Sequence, residues 1–183
     1  MPHTARQQTK YLKQLGYRFP SLSKTRKTEA IKDFQQVMGL KPDGIYGPAT
    51  TKVMHRVIAS GGNISPNFRF NEFQCKCGGR YLGCRGIKTN RDLVEALETL
   101  RRNHYPIGIH VVSAYRCTKH NKAVGGTTKS QHIQGTAADI PARIHHSETF
   151  PHQIHGIGYR SRDGLVRHID TRPGPITKWV YSS

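Results

Sequence analysis

Apolar residues in the first part of the chain recur at the spacing of three short helices. The first of these follows Thr4, whose hydroxyl can cap a helix. The second is predicted to begin near Thr28, shows the apolar spacing of one helix face and ends at Gly39. Pro48 suits the first position of the third, because its fixed φ is already helical. The pattern therefore predicts a three-helix bundle within residues 1–60.

The remainder of the chain has the pattern of a mixed domain. Residues 61–67 are rich in glycine, serine and proline without periodicity, which is typical of a linker. A helix is predicted over 91–103, capped by Asn90, and a β-rich run follows over 107–113. We therefore expect an α+β fold, in which the small bundle precedes a domain at 68–183 with an antiparallel sheet.

The turns of the N-terminal bundle match a known family. The sequence has Phe-Gln-Gln at 34–36, Gly-Leu at 39–40, Asp-Gly at 43–44 and Gly-Pro-Ala-Thr at 47–50. These residues resemble the small peptidoglycan-binding domain that is common in cell-wall hydrolases. The resemblance implies that this part of the chain binds bacterial peptidoglycan. The turn chemistry alone would also fit a three-helix bundle with another purpose.

One segment of the C-terminal domain holds two side chains suited to metal binding. Residues 130–139 have the sequence SQHIQGTAAD, so that His132 and Asp139 are seven positions apart around a glycine-containing bend. Imidazole and carboxylate are both zinc ligands, and a catalytic zinc usually has three protein ligands. A histidine and an aspartate at this spacing are common by chance, so the pair alone is weak evidence.

The residues around the pair are more specific. The pattern Ser-x-His-x-x-Gly-x-Ala-x-Asp resembles the signature of the M15 family of zinc D-alanyl-D-alanine carboxypeptidases and its relatives, which include the zinc fold of hedgehog signalling domains. The resemblance continues upstream at 113–117 (SAYRC) and 120–126, and downstream at 156–159 (GIGY). It covers about residues 68–180 and implies zinc-dependent hydrolysis of peptide bonds in peptidoglycan.

The resemblance also implies roles for individual residues. The family's third ligand is a histidine on a late strand, which corresponds to His168, so the implied zinc ligands are His132, Asp139 and His168. Residues two apart on a strand project to the same side, which places Asp170 beside His168. Asp170 is therefore the first candidate for general base or for support of the metal site. Asp163, on a predicted turn, is the second candidate for the base.

Two further residues are candidates for substrate binding. The planar guanidinium of Arg116 could bind the terminal carboxylate of a stem peptide, as the family's arginine at this position does, with a surface ion pair as the alternative. Ser130 could contact substrate or support the ligand loop. Many relatives have an acidic residue three positions, or a histidine two positions, before the third ligand. Here these positions hold Leu165 and Val166, a departure that leaves the general base open.

Composition limits the partners. The chain of 183 residues has 29 lysines and arginines but only 11 acidic residues, which gives a formal net charge of +18. Such a charge attracts polyanions, among them nucleic acid, anionic membrane surfaces and anionic polymers of the cell wall. The chain has no nucleic-acid motif and no long apolar run. The resemblance to cell-wall hydrolases implies peptidoglycan as the partner, and the charge adds anionic wall polymers as possible partners. We expect no nucleic acid, no membrane insertion and a monomeric state.

The chain has four cysteines, at positions 75, 77, 84 and 117. They could bind a second, structural zinc ion, although their spacing is not one of the common zinc-ribbon patterns. One or two disulfides, or buried thiols, are the favoured interpretation, and the expected cofactor is one catalytic Zn²⁺. Several histidines between positions 145 and 155 have no ligand spacing, and we interpret them as part of a solvated loop.

Together these features predict a zinc metallopeptidase that cleaves peptide bonds in stem peptides or cross-links of bacterial peptidoglycan. The N-terminal residues lack the apolar segment of a secretory signal. This favours a bacteriophage endolysin, made in the host cytoplasm and acting on the cell wall, with a secreted bacterial enzyme as the alternative. Carboxypeptidase and endopeptidase activities are both compatible with the ligand set, because pocket shape selects the bond. A catalytically inactive cell-wall-binding protein with a hedgehog-like zinc fold is the alternative from another class.

Overall fold

The computed structural model describes residues 3–20 and 23–181, and it has the mixed helix and sheet content that the sequence predicts. Three helices come first: α1 at Ala5–Gln14, α2 at Lys24–Val37 and α3 at Pro48–Ala59. Residues 1, 2, 21, 22, 182 and 183 belong to the two predicted domains but lie outside the described residues.

The C-terminal part combines short helices with a four-stranded sheet. It begins with a 3-10 turn at Phe70–Phe73. Its helices are α4 at Arg91–His104, α5 at Thr118–Ala123 and α6 at Gln131–Gln134, and its strands are β1 at Ala137–Asp139, β2 at Gly156–Arg160, β3 at Val166–Asp170 and β4 at Thr177–Tyr181.

Side-chain caps define where the long helices begin. The Thr4 hydroxyl accepts a hydrogen bond from the backbone N–H of Gln7, which starts α1 as predicted. The predicted start of α2 near Thr28 is wrong by about one turn, because Ser23 caps the helix and α2 begins at Lys24. Asn90 caps α4 as predicted.

The sheet has the strand order β1-β3-β2-β4. Strands β1 and β2 both pair antiparallel with β3, but β4 pairs parallel with β2, so the predicted antiparallel sheet is wrong for its last strand. The β-rich run at 107–113 is also not a strand. It meets β1 only at its end, through an isolated bridge between Ser113 and Asp139.

The hydrophobic core extends from the helical bundle into the C-terminal part. Phe34 of α2 stacks on Phe70 with ring centroids 5.9 Å apart, and both rings are buried. Beside this contact, the Arg85 guanidinium pairs with Asp33 of α2 at 2.7 Å. Within the described ranges, no helix combines the length and the apolar character needed to cross a membrane.

The segment predicted as a linker packs against its neighbours. Ile64 is buried, and the backbone N–H of Asn67 donates to a carboxylate oxygen of Glu98 on α4 at 2.8 Å. The segment 61–67 therefore holds the bundle in a defined position against α4. The domain limits at 60 and 68 stay predictions.

Candidate metal centre

Three side chains from separate elements converge on one point. Strands β1 and β3 are in a register that places Asp139 directly opposite His168, so their side chains project from the same face. His132 comes from α6, the short helix before β1. Its Nε2 lies 3.1 Å from Nδ1 of His168, and Oδ1 of Asp139 lies 3.2 Å from each of these nitrogens. The structure thus brings together all three residues that the sequence predicts as metal ligands.

The hydrogen bonds on the far side of each ring show which nitrogens face the centre as lone pairs. Nδ1 of His132 lies 2.6 Å from the carbonyl oxygen of Ala114, and Nε2 of His168 lies 3.0 Å from Oδ2 of Asp170. Both partners are acceptors, so each of these nitrogens holds the ring proton. When both rings are neutral, the two inner nitrogens and Oδ1 of Asp139 are three acceptors that face one another, an arrangement that a cation stabilises.

The spacing of the three inner atoms also fits zinc. Zinc binds histidine nitrogen and carboxylate oxygen at about 2.0–2.2 Å in a tetrahedron, which separates neighbouring ligand atoms by roughly 3.3–3.5 Å. The observed separations of 3.1 and 3.2 Å are close to that edge. Three protein ligands leave the fourth tetrahedral position for water or substrate, as in catalytic zinc sites. The donor set therefore fits a single zinc ion.

The turn at 113–116 supports two of the three ligands. Its Ala114 carbonyl orients His132, and the Arg116 guanidinium pairs with Oδ2 of Asp139 and donates from Nε to the Ser113 hydroxyl at 3.0 Å. Asp139 is partly buried, and the Arg116 guanidinium on its Oδ2 favours the ionised form of the carboxylate. Asp139 is accordingly an ionised ligand.

Asp170 supports the metal site from behind His168. Its carboxylate is fully buried and lies between Nε2 of His168 and the Arg172 guanidinium, to which it is bonded at 2.6 and 2.8 Å. Burial opposes ionisation, yet Arg172 and His168 keep the pKa of Asp170 well below its usual range. Because these contacts lie on the side of His168 away from Asp139, the structure places Asp170 as a positioning residue. It does not place Asp170 where a general base would act.

The structure does not bring Asp163 to the centre. Its carboxylate pairs with Arg160 and Arg162 and accepts from the backbone N–H of Leu165 at 3.1 Å, which closes the turn between β2 and β3. Among the described residues, those that line the cavity at the centre include one carboxylate, Asp139. Neither predicted candidate for the general base therefore faces the three ligands.

The comparisons with known proteins agree with this geometry. Residues 66–170, more than half of the chain, match the family model described as peptidase M15. The chain belongs to the peptidase M15 family. All three converging ligands lie within the matched range. Residues 6–54 match a second family model, described as a peptidoglycan binding domain, which covers most of the three-helix bundle.

A curated relative with a described activity is also similar to this M15 family member. The protein described as "Zinc D-Ala-D-Ala carboxypeptidase" from Streptomyces albus G is 31% identical over 120 residues, which are 62% of this chain and 46% of that protein. The chain thus spans about half the length of the curated relative that it matches.

The centre of this M15 domain opens into a cavity of about 810 Å³ with a strongly basic lining. Arg116 and Ser130, the two residues predicted to bind substrate, both line the cavity. The Ser130 hydroxyl accepts from the backbone N–H of His132 at 3.3 Å and so starts α6. Ser130 therefore supports a ligand in this structure. Further lining residues were not predicted from the sequence: Lys129, Arg160, Arg162, Arg167, Arg172, Trp179 and Tyr181.

Two of these unpredicted residues, Trp179 and Arg172, lie beside the ligand candidate His168 and its partner Asp170. The Trp179 ring lies beside His168, with centroids 5.2 Å apart, and the Arg172 guanidinium lies 4.9 Å from the Trp179 ring. Arg172 could have been found, since it follows Asp170 at the same-side spacing of a strand. Trp179 was not found, because its place beside His168 depends on the parallel pairing of β4 with β2, which the sequence did not predict.

Proposed function

We propose that this protein is a zinc metallopeptidase that hydrolyses peptide bonds in the stem peptides or cross-links of bacterial peptidoglycan. The observation that supports this most is the convergence of three possible ligand atoms, from His132, Asp139 and His168, in the wall of an open cavity. Membership of the peptidase M15 family and the described activity of the Streptomyces relative support the same reaction.

Different residues around the centre orient the three side chains that would bind zinc. Zinc bound there would supply Lewis-acid activation of the scissile carbonyl and of the attacking water. The Ala114 carbonyl and the Asp170 carboxylate fix the two histidine rings, so that their inner lone pairs point to one position. Arg116 takes up the outer oxygen of Asp139, which leaves Oδ1 for the metal.

The basic lining indicates the chemistry of the substrate. Stem peptides have free carboxylates, and five arginines line the cavity together with Lys129. Arginine binds carboxylates in a bidentate manner and stays charged under all working conditions. We infer that these side chains bind substrate carboxylates near the scissile bond, with Arg116 nearest to the metal ligands.

The helical bundle would deliver the catalytic domain to the cell wall. Its match to a peptidoglycan binding domain supports binding to the polymer, and the net charge of +18 favours capture on anionic wall polymers at low salt. The close packing of Phe34 on Phe70 would hold the two parts in one orientation. Binding and cleavage would then occur at neighbouring positions in the peptidoglycan.

We further propose that the protein acts as a phage endolysin, made in the host cytoplasm and released to the cell wall. The combination of a wall-binding bundle with a peptidase domain and a high positive charge supports this role. Lysis of growing bacteria should require expression of this chain together with a membrane-permeabilising protein. Lysis by the chain alone would contradict a role that depends on release.

Digestion of purified peptidoglycan, followed by mass spectrometry of the muropeptides, tests the proposed reaction and identifies the bond. Wild-type protein should release new peptide ends, zinc removal by a chelator should stop the reaction, and zinc should restore it. His132→Ala should be inactive, whereas His110→Ala, an exposed histidine, should keep wild-type activity. Wall binding without any new peptide ends would instead indicate the inactive wall-binding protein.

A further inference from the structure

A second group of possible metal ligands lies apart from the catalytic ligands. The side chains of Cys75, Cys77, Cys84 and Cys117 converge so that their sulfur atoms all lie within 4.8 Å of one another. The first three come from the loop between Phe73 and α4, and Cys117 precedes α5. All four are free thiols in the structure, and all but Cys77 are buried.

The spacing of the sulfur atoms is that of zinc ligands. Zinc binds thiolate sulfur at about 2.3 Å, so neighbouring sulfurs of a tetrahedral site are roughly 3.8 Å apart. Sγ of Cys77 lies 3.5 Å from Sγ of Cys84, which is close to this edge and far above the roughly 2.05 Å of a disulfide. Two disulfides would place the sulfur atoms in two separate bonded pairs. Here the four sulfur atoms form one group instead.

Hydrogen-bond donors surround the sulfurs as they do in thiolate sites. The backbone N–H of Cys117 donates to Sγ of Cys75 at 3.4 Å, and that of Gly86 donates to Sγ of Cys84 at 3.5 Å. Nδ1 of His120 lies 3.3 Å from Sγ of Cys75. Donors directed at sulfur stabilise the ionised form, which is the form that binds a metal.

A buried guanidinium nitrogen lies beside the loop between Phe73 and α4, called here the cysteine loop. Nη1 of Arg18 is buried and has no hydrogen-bond partner among the described residues. It borders the loop so closely that a Cβ added at Gly79 would lie 2.5 Å from it. Four thiolates around one divalent ion have a net negative charge, which would stabilise this guanidinium. The arginine is an observation independent of the cysteines themselves.

The cysteine loop has no regular secondary structure to define its shape. Between Phe73 and α4 the chain has turns and one isolated bridge, Gln74 to Ile87, but no helix or strand. Its cysteines form a small cluster with Tyr115, separate from the main hydrophobic core. A loop without regular secondary structure is one that a cross-link such as a metal ion can stabilise.

We propose that a structural zinc ion is bound by the four cysteines, Cys75, Cys77, Cys84 and Cys117. This ion would fasten the loop between Phe73 and α4 to the N-terminus of α5. Four protein ligands close the coordination sphere, so this ion has a structural role. Cys117 directly follows Arg116, which holds Asp139, and Tyr115 packs within the cysteine cluster. The second ion therefore fixes the turn that positions the ligands of the first.

Zinc content per chain tests the proposal with the full-length protein, purified under reducing conditions. Elemental analysis should give two zinc ions per wild-type chain and one in His132→Ala, which loses only the catalytic site. Cys77→Ser should also bind one, and Cys77→His should recover two, because three cysteines and one histidine form a common zinc site. Cys77 is the least buried of the four, which limits the damage to folding.

Cobalt substitution of the wild type gives a readout that needs no cysteine variant to fold. A tetrathiolate site adds intense sulfur-to-cobalt charge-transfer absorption, which His132, Asp139 and His168 cannot produce, and this absorption should persist in His132→Ala. One zinc per wild-type chain with no such absorption would overturn the proposal. A chain mass lowered by the hydrogens lost in disulfide formation, measured on protein prepared without a reductant, would overturn it as well. Neither result would affect the proposed peptidase function, because that is tested by muropeptide cleavage.

Discussion

Nε2 of His168 lies 3.0 Å from the fully buried carboxylate of Asp170, and this bond directs the opposite nitrogen of the ring toward Asp139. Space for the carboxylate comes from the neighbouring strand, where Gly156 faces Asp170 and any Cβ would collide with its oxygens. A residue without a side chain is therefore required at Gly156, the start of the GIGY segment, because the Asp170 carboxylate occupies that space. The pair links the strand sequence to the orientation of a metal ligand.

Asp170→Asn should weaken zinc binding about 10- to 100-fold, because the neutral amide no longer fixes and polarises the His168 ring. Zinc affinity is measured by competition with a chromophoric chelator. Asp163→Asn is the matched control, since Asp163 closes an exposed turn and should leave the affinity unchanged. Equal losses in both variants would contradict the assigned role of Asp170.

Arg116→Lys should lower kcat/KM on muropeptides by roughly 10-fold or more, because lysine cannot reproduce a planar guanidinium that bonds to Asp139 and Ser113. With saturating zinc the catalytic metal should still be bound, so the loss should appear in turnover of substrate. Arg102→Lys, on the exposed last turn of α4, should behave as wild type. Steady-state kinetics and zinc analysis of the same samples measure the two effects. A loss of bound zinc in Arg116→Lys would contradict the prediction.

Gly135→Ala should destabilise the protein and weaken zinc binding together. Gly135 has φ +74° between α6 and β1, and an added Cβ would lie 2.5 Å from the backbone oxygen of Lys88. Gly61→Ala is the control, since Gly61 has φ +78° and open space around it, so only the left-handed strain of about 1–2 kcal/mol applies. Urea unfolding and chelator competition measure the two effects. Equal destabilisation by both substitutions would show that the close contact is relieved without cost.

Phe70→Ala should reduce the free energy of unfolding by about 3–5 kcal/mol, because Phe70 is buried between the bundle and the C-terminal part. Since the core is continuous, wild-type protein should unfold in denaturant in one transition. Leu82→Ala, at a side chain that is 93% exposed, should change the free energy by no more than about 0.5 kcal/mol. Separate transitions in the wild type would indicate that the two parts are independently stable.

Local signals were sufficient to predict where three of the longer helices begin. Caps at Thr4 and Asn90 and the proline at position 48 predicted where three helices begin, since these residues satisfy helix ends within a few positions. The start of α2 was missed, because several residues in that region can cap a helix and the sequence alone does not show which of them does. The run at 107–113 has strand-forming residues, yet a strand also needs a partner along its length.

By itself, the sequence predicted the mixed fold class from residue types at short spacings. The resemblance to the peptidase family, carried by local motifs, implied the three candidate ligands. The tertiary structure decided what depends on residues far apart in the chain. The register of β1 against β3 sets Asp139 opposite His168, the fold buries Asp170 behind that histidine, and β4 joins the sheet parallel to β2. The same long-range folding gathers four cysteines that sequence spacing alone did not favour as a zinc site. Spacing along a chain defines neighbours within an element, whereas contacts between elements are selected by the packing of the whole core.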